Sequence, residues 1–371
     1  MNKVALTVAG IAFASATAFG MLVAPEIWMR HRVDRALASL SADSQIYYGG
    51  LKYSLFDGTL ELTDVSFVAH DSGQTLRGSL AHVSLKGAGE TAIDSLHGTG
   101  FSVTDDDHTL RIDAETLEGD ELFAKGSLEE GDFHASAGRL SLGGVVLTSE
   151  NGTTQISEIA TSRYLQSGSV PHSLALTVHG LKLEQADLQL DETRALLTAL
   201  GYDSLLLDFE LAYDYQILSQ RLKVERAAVA GQNMGRLSLS ADLGSVPLPD
   251  PTAPEESWQA VMAATLERLE LRYDDSSLAG RWFKMAAEQQ GLSEAEFKAD
   301  TMARLDRLTG GHGTPLGHEI GTATRTFMDQ PQALAVQLTP PKPLPLMMVL
   351  VGLNMPQALA RAAGLRVVAN P

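Results

Sequence analysis

Residues 59–70 read TLELTDVSFVAH, with the apolar beat on Leu60 and Leu62, a skip, and then Val65 and Phe67. Successive side chains of a strand point to opposite faces. One skipped position therefore moves every later side chain to the other face unless a bulge or kink absorbs it. A tight turn between two short strands is the alternative, but Thr63-Asp64 lacks the Gly or Asn that such a turn usually needs. The expectation is a bulge or kink at Asp64 inside one long strand with a continuous apolar face. The same slip recurs in LALTVHGLKLEQADLQLD (174–191). There Leu174, Leu176 and Val178 give way to Leu181 and Leu183 at His179-Gly180. At Glu184-Gln185 the beat moves again, to Ala186, Leu188 and Leu190.

The clearest alternation is LLLDFELAYDYQI (205–217). Leu205, Leu207, Phe209, Leu211, Tyr213, Tyr215 and Ile217 all fall on odd positions, with Asp208, Glu210, Asp214 and Gln216 between them. That is a half-buried strand of roughly 40 Å at about 3.3 Å per residue. The beat returns on Leu222 and Val224, then on Leu237, Leu239, Ala241 and Leu243. Gly58-Thr-Leu, Gly78-Ser-Leu, Gly126-Ser-Leu, Gly138-Arg-Leu and Gly235-Arg-Leu each open an alternating run. Their irregular spacing is that of antiparallel strands with glycine at the turns rather than of a strict repeat array.

Composition narrows the function classes. Acidic residues outnumber basic ones by 46 to 28, a net charge of −18 over 371 residues. Such a surface repels phosphate backbones, which argues against nucleic acid as a partner. With no cysteine there are no disulfides, thiolate nucleophiles or thiolate metal sites. From Val4 to Pro25 there is no charge, a run long enough to cross a bilayer as a helix. A cleaved signal peptide would use Ala16-Thr17-Ala18 as its exit site. Continuation through Phe19, Met21, Leu22 and Val23 favours an uncleaved anchor. Lys3 favours a cytoplasmic start, whereas Arg30, Arg32 and Arg35 pull the other way. Trp28 stands where an interfacial aromatic would sit. Glu26–Leu40 reads as an amphipathic stalk, with Ile27, Val33, Leu37 and Leu40 near one face.

Val246-Pro-Leu-Pro-Asp-Pro-Thr-Ala-Pro254 is a connector. Beyond it LERLELRY reads as a strand. A first helix is marked by Leu278, Trp282, Met285 and Ala286 and ends at Gly291. A second opens with Ser293 as N-cap and Glu296 three residues on, a capping box, and runs to Leu308. A third covers Gly317–Met328, and 333–338 and 364–369 read as strands. Leu344–Met355 is apolar but broken by Gly352 and Asn354 and followed by Pro356, which suits a buried or membrane-surface helix rather than a span.

Chemistry is sparse. His312 and His318, with Glu319, lie in GGHGTPLGHE. Their spacing is not that of a zinc protease, and the reading as a polar loop outweighs a hydrolase or metal site. Asp105–Asp107 with His108 lacks the glycine and distal Glu of an EF-hand. There is no nucleophile elbow, no P-loop and no dinucleotide fingerprint. The apolar stripe at 205–217 has two readings. It is one wall of a closed two-sheet core, or it is an open groove for acyl chains.

An apolar N-terminus followed by FDGTLELTDVSFVAHD resembles the start of AsmA-like envelope proteins. GYDSLLLDFELAYDY, GQNMGRLSLSADL and LRYDDSSLAGRWFKMAAEQQGLSEAEF are similar to YdgA-like bacterial envelope proteins. The resemblance touches residues 1–70 and about 200–300. It implies a membrane-anchored curved sheet with a hydrophobic groove and a role in moving phospholipid, and it carries no catalytic residues.

The expected fold is mainly β with α: an N-terminal transmembrane helix, an elongated curved antiparallel β-sheet, and a helical C-terminal portion covering part of the sheet. The expected organisation is 1–25 transmembrane anchor, 26–45 amphipathic stalk helix, 46–246 antiparallel β-sheet region, 247–258 Pro-rich connector and 259–371 α+β region. The expected function is non-enzymatic. The protein would sit in the bacterial inner membrane as a single-pass chain with its body in the periplasm, and would bind or move lipid. Leu205, Leu207, Phe209, Leu211, Tyr213 and Tyr215 would line the groove, with no cofactor and no metal. The alternative is a structural or assembly factor that holds an envelope protein partner.

Overall fold

The computed structural model describes residues 44–54, 57–71, 74–87, 92–105, 109–125, 134–150, 152–167, 170–188, 190–247, 262, 264–309, 315–352 and 356–371. Two compact units divide the chain, Met1–Leu183 and Glu184–Pro371.

In the first unit β1 (Ser44–Tyr47) and β2 (Gly50–Ser54) both pair with β3 (Thr59–Asp71). From β3 an antiparallel ladder continues through β4 (Gln74–Lys86), β5 (Ala92–Asp105) and β6 (Leu110–Lys125). β7 (His134–Ala137) and β8 (Arg139–Ser149) both pair with β6 and with β9 (Gly152–Ser167), and β10 (Val170–Glu184) pairs with β9. Leu60, Leu62, Val65 and Phe67 are each at most 3% exposed and belong to one core cluster. The skip at Asp64 is therefore a kink inside a single strand, and both halves keep the same buried face.

The kink is not an extra residue in one strand. Thr63 pairs with His82 and Val65 with Leu80, so the register runs on unshifted. Every strand from β3 to β10, the short β7 apart, makes the same skip at the same height. The register places Asp64, Ala81, Gly100, Glu115, Gly144, Ser157 and Gly180 in one row across the sheet. Alternate members of that row have positive φ: Asp64 (52°), Gly100 (66°), Gly144 (60°) and Gly180 (65°). On either side the inward residues stay in phase with their neighbours, as with Val83 and Leu80 on β4 or Leu117 and Ala114 on β6. A pleat broken in all strands at once keeps the core face continuous, whereas a break in one strand would turn half its apolar residues to water.

Two readings of the sequence are revised. Gly78 lies inside β4 rather than at a turn. A Cβ there would stand 2.0 Å from the Phe67 ring, so the missing side chain is the space the ring fills. The second slip in 174–191, at Glu184-Gln185, is a strand end. A 3₁₀ turn, Gln185–Asp187, follows β10, and Gln185 Nε2 donates to the Tyr202 carbonyl at 2.6 Å.

The second unit opens with α1 (Asp191–Leu200), inside the span expected to be sheet throughout. Then β11 (Ser204–Gln216), β12 (Arg221–Gly231), β13 (Gly235–Gly244) and β14 (Thr265–Asp275) pair antiparallel in sequence. The strands on either side of the Pro-rich connector thus share one ladder. β15 (Ala333–Leu338) pairs with β14, β16 (Leu344–Pro345) extends the β14 edge, and β17 (Leu365–Ala369) pairs with β15. The other helices are α2 (Leu278–Gln289), α3 (Glu294–Thr309), α4 (Pro315–Asp329), α5 (Leu346–Gly352) and α6 (Pro356–Ala363). The capping box forms: the Ser293 N–H donates to Glu296 Oε2 at 2.8 Å, and the Glu296 N–H to Ser293 Oγ at 3.3 Å. Trp282, read as part of the apolar side of α2, is 45% exposed.

The expected fold class needs correction. No described helix is long and apolar enough to cross a membrane. The longest, α3, has 16 residues and is rich in charge, while a span needs about 20 apolar residues. The transmembrane helix placed on 1–25 and nearly all of the stalk lie outside the described residues, as does most of the connector. The C-terminal portion is not a helical cover laid on a finished sheet. It supplies β14–β17, and the described fold is mostly antiparallel sheet with six short helices interspersed.

Candidate functional site

The six stripe residues of β11 alternate onto one face, and the register extends that face across the second unit. Phe209 stands opposite Val229, Val229 opposite Leu237, Leu237 opposite Tyr273, and Tyr273 opposite Leu334. The next row is Leu211, Ala227, Leu239, Leu271, Val336 and Val367. Tyr213, Val224, Ala241, Leu269, Leu338 and Leu365 make a third. β12 skips from Val224 to Ala227, and a register shift there against both neighbours keeps its side chains in phase. This is the bulge that the slip rule calls for, here as one extra residue in one strand.

The reverse face is charged and half-buried over β11, β13 and β14. Glu210 binds Arg236 at 2.7 Å and Arg226 at 3.0 Å. The hydrogen bonds from Arg236 above all, with those from Arg226, hold the Glu210 carboxyl down to about 2 against an opposing effect of burial. Arg272 meets Asp274 at 2.7 Å. Charges half-buried in this way need partners, and the paired arginines and carboxylates supply them.

Both ends of the apolar face are roofed. At one end Leu205 packs with Leu197 and Leu200 of α1, Met285 of α2, and Met234 from the β12–β13 turn. That turn anchors the roof. The Tyr202 hydroxyl donates to the Asn233 carbonyl at 2.8 Å, and the Leu278 N–H to the Met234 carbonyl at 3.2 Å. Arg281 clamps α2 to the end of α1, donating from Nη1 to the carbonyls of Leu200 (3.0 Å) and Gly201 (3.1 Å). Its guanidinium lies 4.6 Å from the centre of the Tyr202 ring. The Tyr273 hydroxyl donates to Asp275 Oδ1 at 2.6 Å. Burial first, then Asp275, pushes its pKa up.

At the other end Tyr215 is buried with Val246 and Ala264, and its hydroxyl donates to the Val246 carbonyl at 2.8 Å. Leu266, Leu338, Leu359 and Ala363 form a core there, with Leu346 and Val349 of α5 packed on it. On a third side α4 runs beside β17. Glu319 Oε1 accepts the Val367 N–H at 3.0 Å, and the Phe327 ring meets Tyr273 edge-on at 6.2 Å.

Between these roofs the face is open. Phe209 and Leu211 are each 36% exposed, Leu237 is 43% and Leu271 is 38%. They lie on β11, β13 and β14, about 14 Å from first strand to last at 4.8 Å per strand. Leu207 and Tyr213 are half-buried beside them. Of the six stripe residues, then, Leu205 and Tyr215 belong to the roofed ends and the middle four border the open part. Leu237 and Leu271 complete it. Each stood in its own alternating run, but only the register shows that they share the stripe.

No described residues form a group of three or more His, Asp or Glu able to hold a metal ion. His318 and Glu319 lie on α4 rather than in a loop, and His312 is outside the described residues. A protein-family model described as "Uncharacterized protein" matches residues 228–370, from within β12 through β17. No curated protein matches the chain.

Proposed function

We propose that this protein is a non-enzymatic lipid-binding protein of the bacterial cell envelope whose open sheet face accepts acyl chains. The observation that carries the reading is the strip of Phe209, Leu211, Leu237 and Leu271, exposed on a face whose two ends are roofed by helices. Leaving apolar surface wet costs about 2.5 kcal/mol for every 100 Å². A cover for the strip is therefore favoured, and acyl chains match its chemistry: apolar, extended, without hydrogen-bonding demands. The resemblance of the sequence to AsmA-like envelope proteins belongs to this proposal and is independent of the family match.

The test is lipid extraction and native mass spectrometry of the purified chain, with Phe209→Asp beside it. Co-purified lipid that is lost in Phe209→Asp, with the circular dichroism spectrum retained, supports the reading. A wild-type chain that carries no lipid, and takes up none of an added fluorescent fatty acid, overturns it. A stoichiometric protein held in place of lipid also overturns it, in favour of an assembly factor.

A further inference from the structure

We infer that one end of the second unit docks on an anionic membrane surface, through α5 and the β11–β12 turn. α5 has two sides with different surroundings. Leu346 and Val349 pack on the core at the β14 end, while Met347, Met348, Leu350 and Val351 are 50%, 60%, 49% and 52% exposed. One turn of chain at the same end presents more of the same: Ile217 is 40% and Leu218 102% exposed. The two elements are neighbours through a shared core, since Leu346 packs with Tyr215 and Leu222, which bracket that turn. Large apolar side chains projecting from two elements at one end form a knob rather than scattered exposure, and knobs of this kind mark interaction surfaces.

Charge selects the occupant. In a chain with 46 acidic and 28 basic residues, the stretch from Gln330 to Pro371 contains Lys342, Arg361 and Arg366 and no Asp or Glu. Lys342 precedes α5, Arg361 sits on α6 packed against it, and both are exposed. An apolar ridge flanked by cations, on a body that is otherwise strongly acidic, matches a layer of anionic headgroups over acyl chains. The net negative charge would keep the rest of the surface off the membrane, which orients the docking. The inference does not depend on an acyl chain occupying the sheet face.

The absence of cysteine gives a direct test, because one introduced thiol can be labelled uniquely. Leu350→Cys, Leu218→Cys and Gln232→Cys carry an environment-sensitive fluorophore. Gln232 is exposed at the opposite, β12–β13 end of the sheet. With vesicles of phosphatidylcholine and phosphatidylglycerol, emission should shift blue at 350 and 218 and stay unchanged at 232. Because the signal comes from the label itself, any other attachment of the chain to vesicles does not produce it. The double variant Lys342→Glu/Arg361→Glu should need at least about thirtyfold more lipid for the same shift. Emission at 350 that stays water-like at saturating lipid overturns the inference. So does an equal shift with pure phosphatidylcholine, or a shift without vesicles that grows with protein concentration, which would mean a second copy covers the knob.

Discussion

Asp64 sits at φ 52° in the row where the pleat breaks, and Gly180 at φ 65° in the same row. An L residue with a side chain gives up about 1 kcal/mol in that conformation, which glycine does not. Asp64→Gly should therefore be neutral or stabilising by up to about 1 kcal/mol, and Asp64→Val destabilising by about 1–2 kcal/mol, by urea unfolding. Gly180→Val should cost more, since a Cβ there would stand 2.3 Å from Ser157 Oγ. Glu210 is the residue for a pH test. Its carboxyl is lowered from an ordinary 4.5 to about 2, so it adds stability above pH 4.5 that is lost as pH falls toward 2. Glu210→Gln should flatten this part of the acid unfolding curve, seen as a smaller drop in Tm between pH 5 and about 2. The skip at Asp64 was legible from the alternation alone. That its partners skip at the same height was legible only strand by strand, because register is a relation between segments that one segment does not contain.

At the level of elements, α2, α3 and α4 were legible because their signals are local, whereas α6 was not anticipated and α5 was read as one apolar stretch over 344–355. Ser293 and Glu296 close a capping box within one turn, and Gly291 at φ 67° ends the helix before it. α1 was hidden by its flanks: Leu188 and Leu190 continue the strand beat into it. Its marks were Asp191 and Glu192 in the first turn, Leu197 and Leu200 on one side, and Gly201 at φ 76° as its stop. The clamp by Arg281 is a tertiary contact that no local pattern announces. Arg281→Ala removes two hydrogen bonds to carbonyls and the stacking on Tyr202. It should destabilise the second unit by about 1–3 kcal/mol. Hydrogen exchange should speed up over 191–202 and 278–289 and remain unchanged in β3–β5.

For the molecule as a whole, the two units treat the same alternating pattern differently. In the first, inward residues such as Leu85, Phe101 and Val145 are at most 1% exposed. In the second, the apolar face is deeply buried at the roofed ends and exposed along the strip between them. Leu266 is 0% exposed and Phe209 is 36%. The two positions have the same place in the beat and should respond differently to charge. Leu266→Asp should unfold the second unit, because a carboxylate buried without a partner costs several kcal/mol. Phe209→Asp should fold with a Tm within a few degrees of wild type and fail in lipid uptake. Equal loss of structure in both variants would mean the strip is roofed in solution.

Alternation and capping are written into neighbouring residues, so the sequence settled that the chain is strand-rich, which face of its clearest strands is apolar, and where three of the six described helices begin and end. Burial depends on what comes to lie over a face, and that depends on contacts between segments far apart in the chain. Tertiary structure alone aligned the seven skips into one row and set Leu237 and Leu271 beside Phe209 and Leu211. It also laid helices over the two ends of that face and left its middle bare.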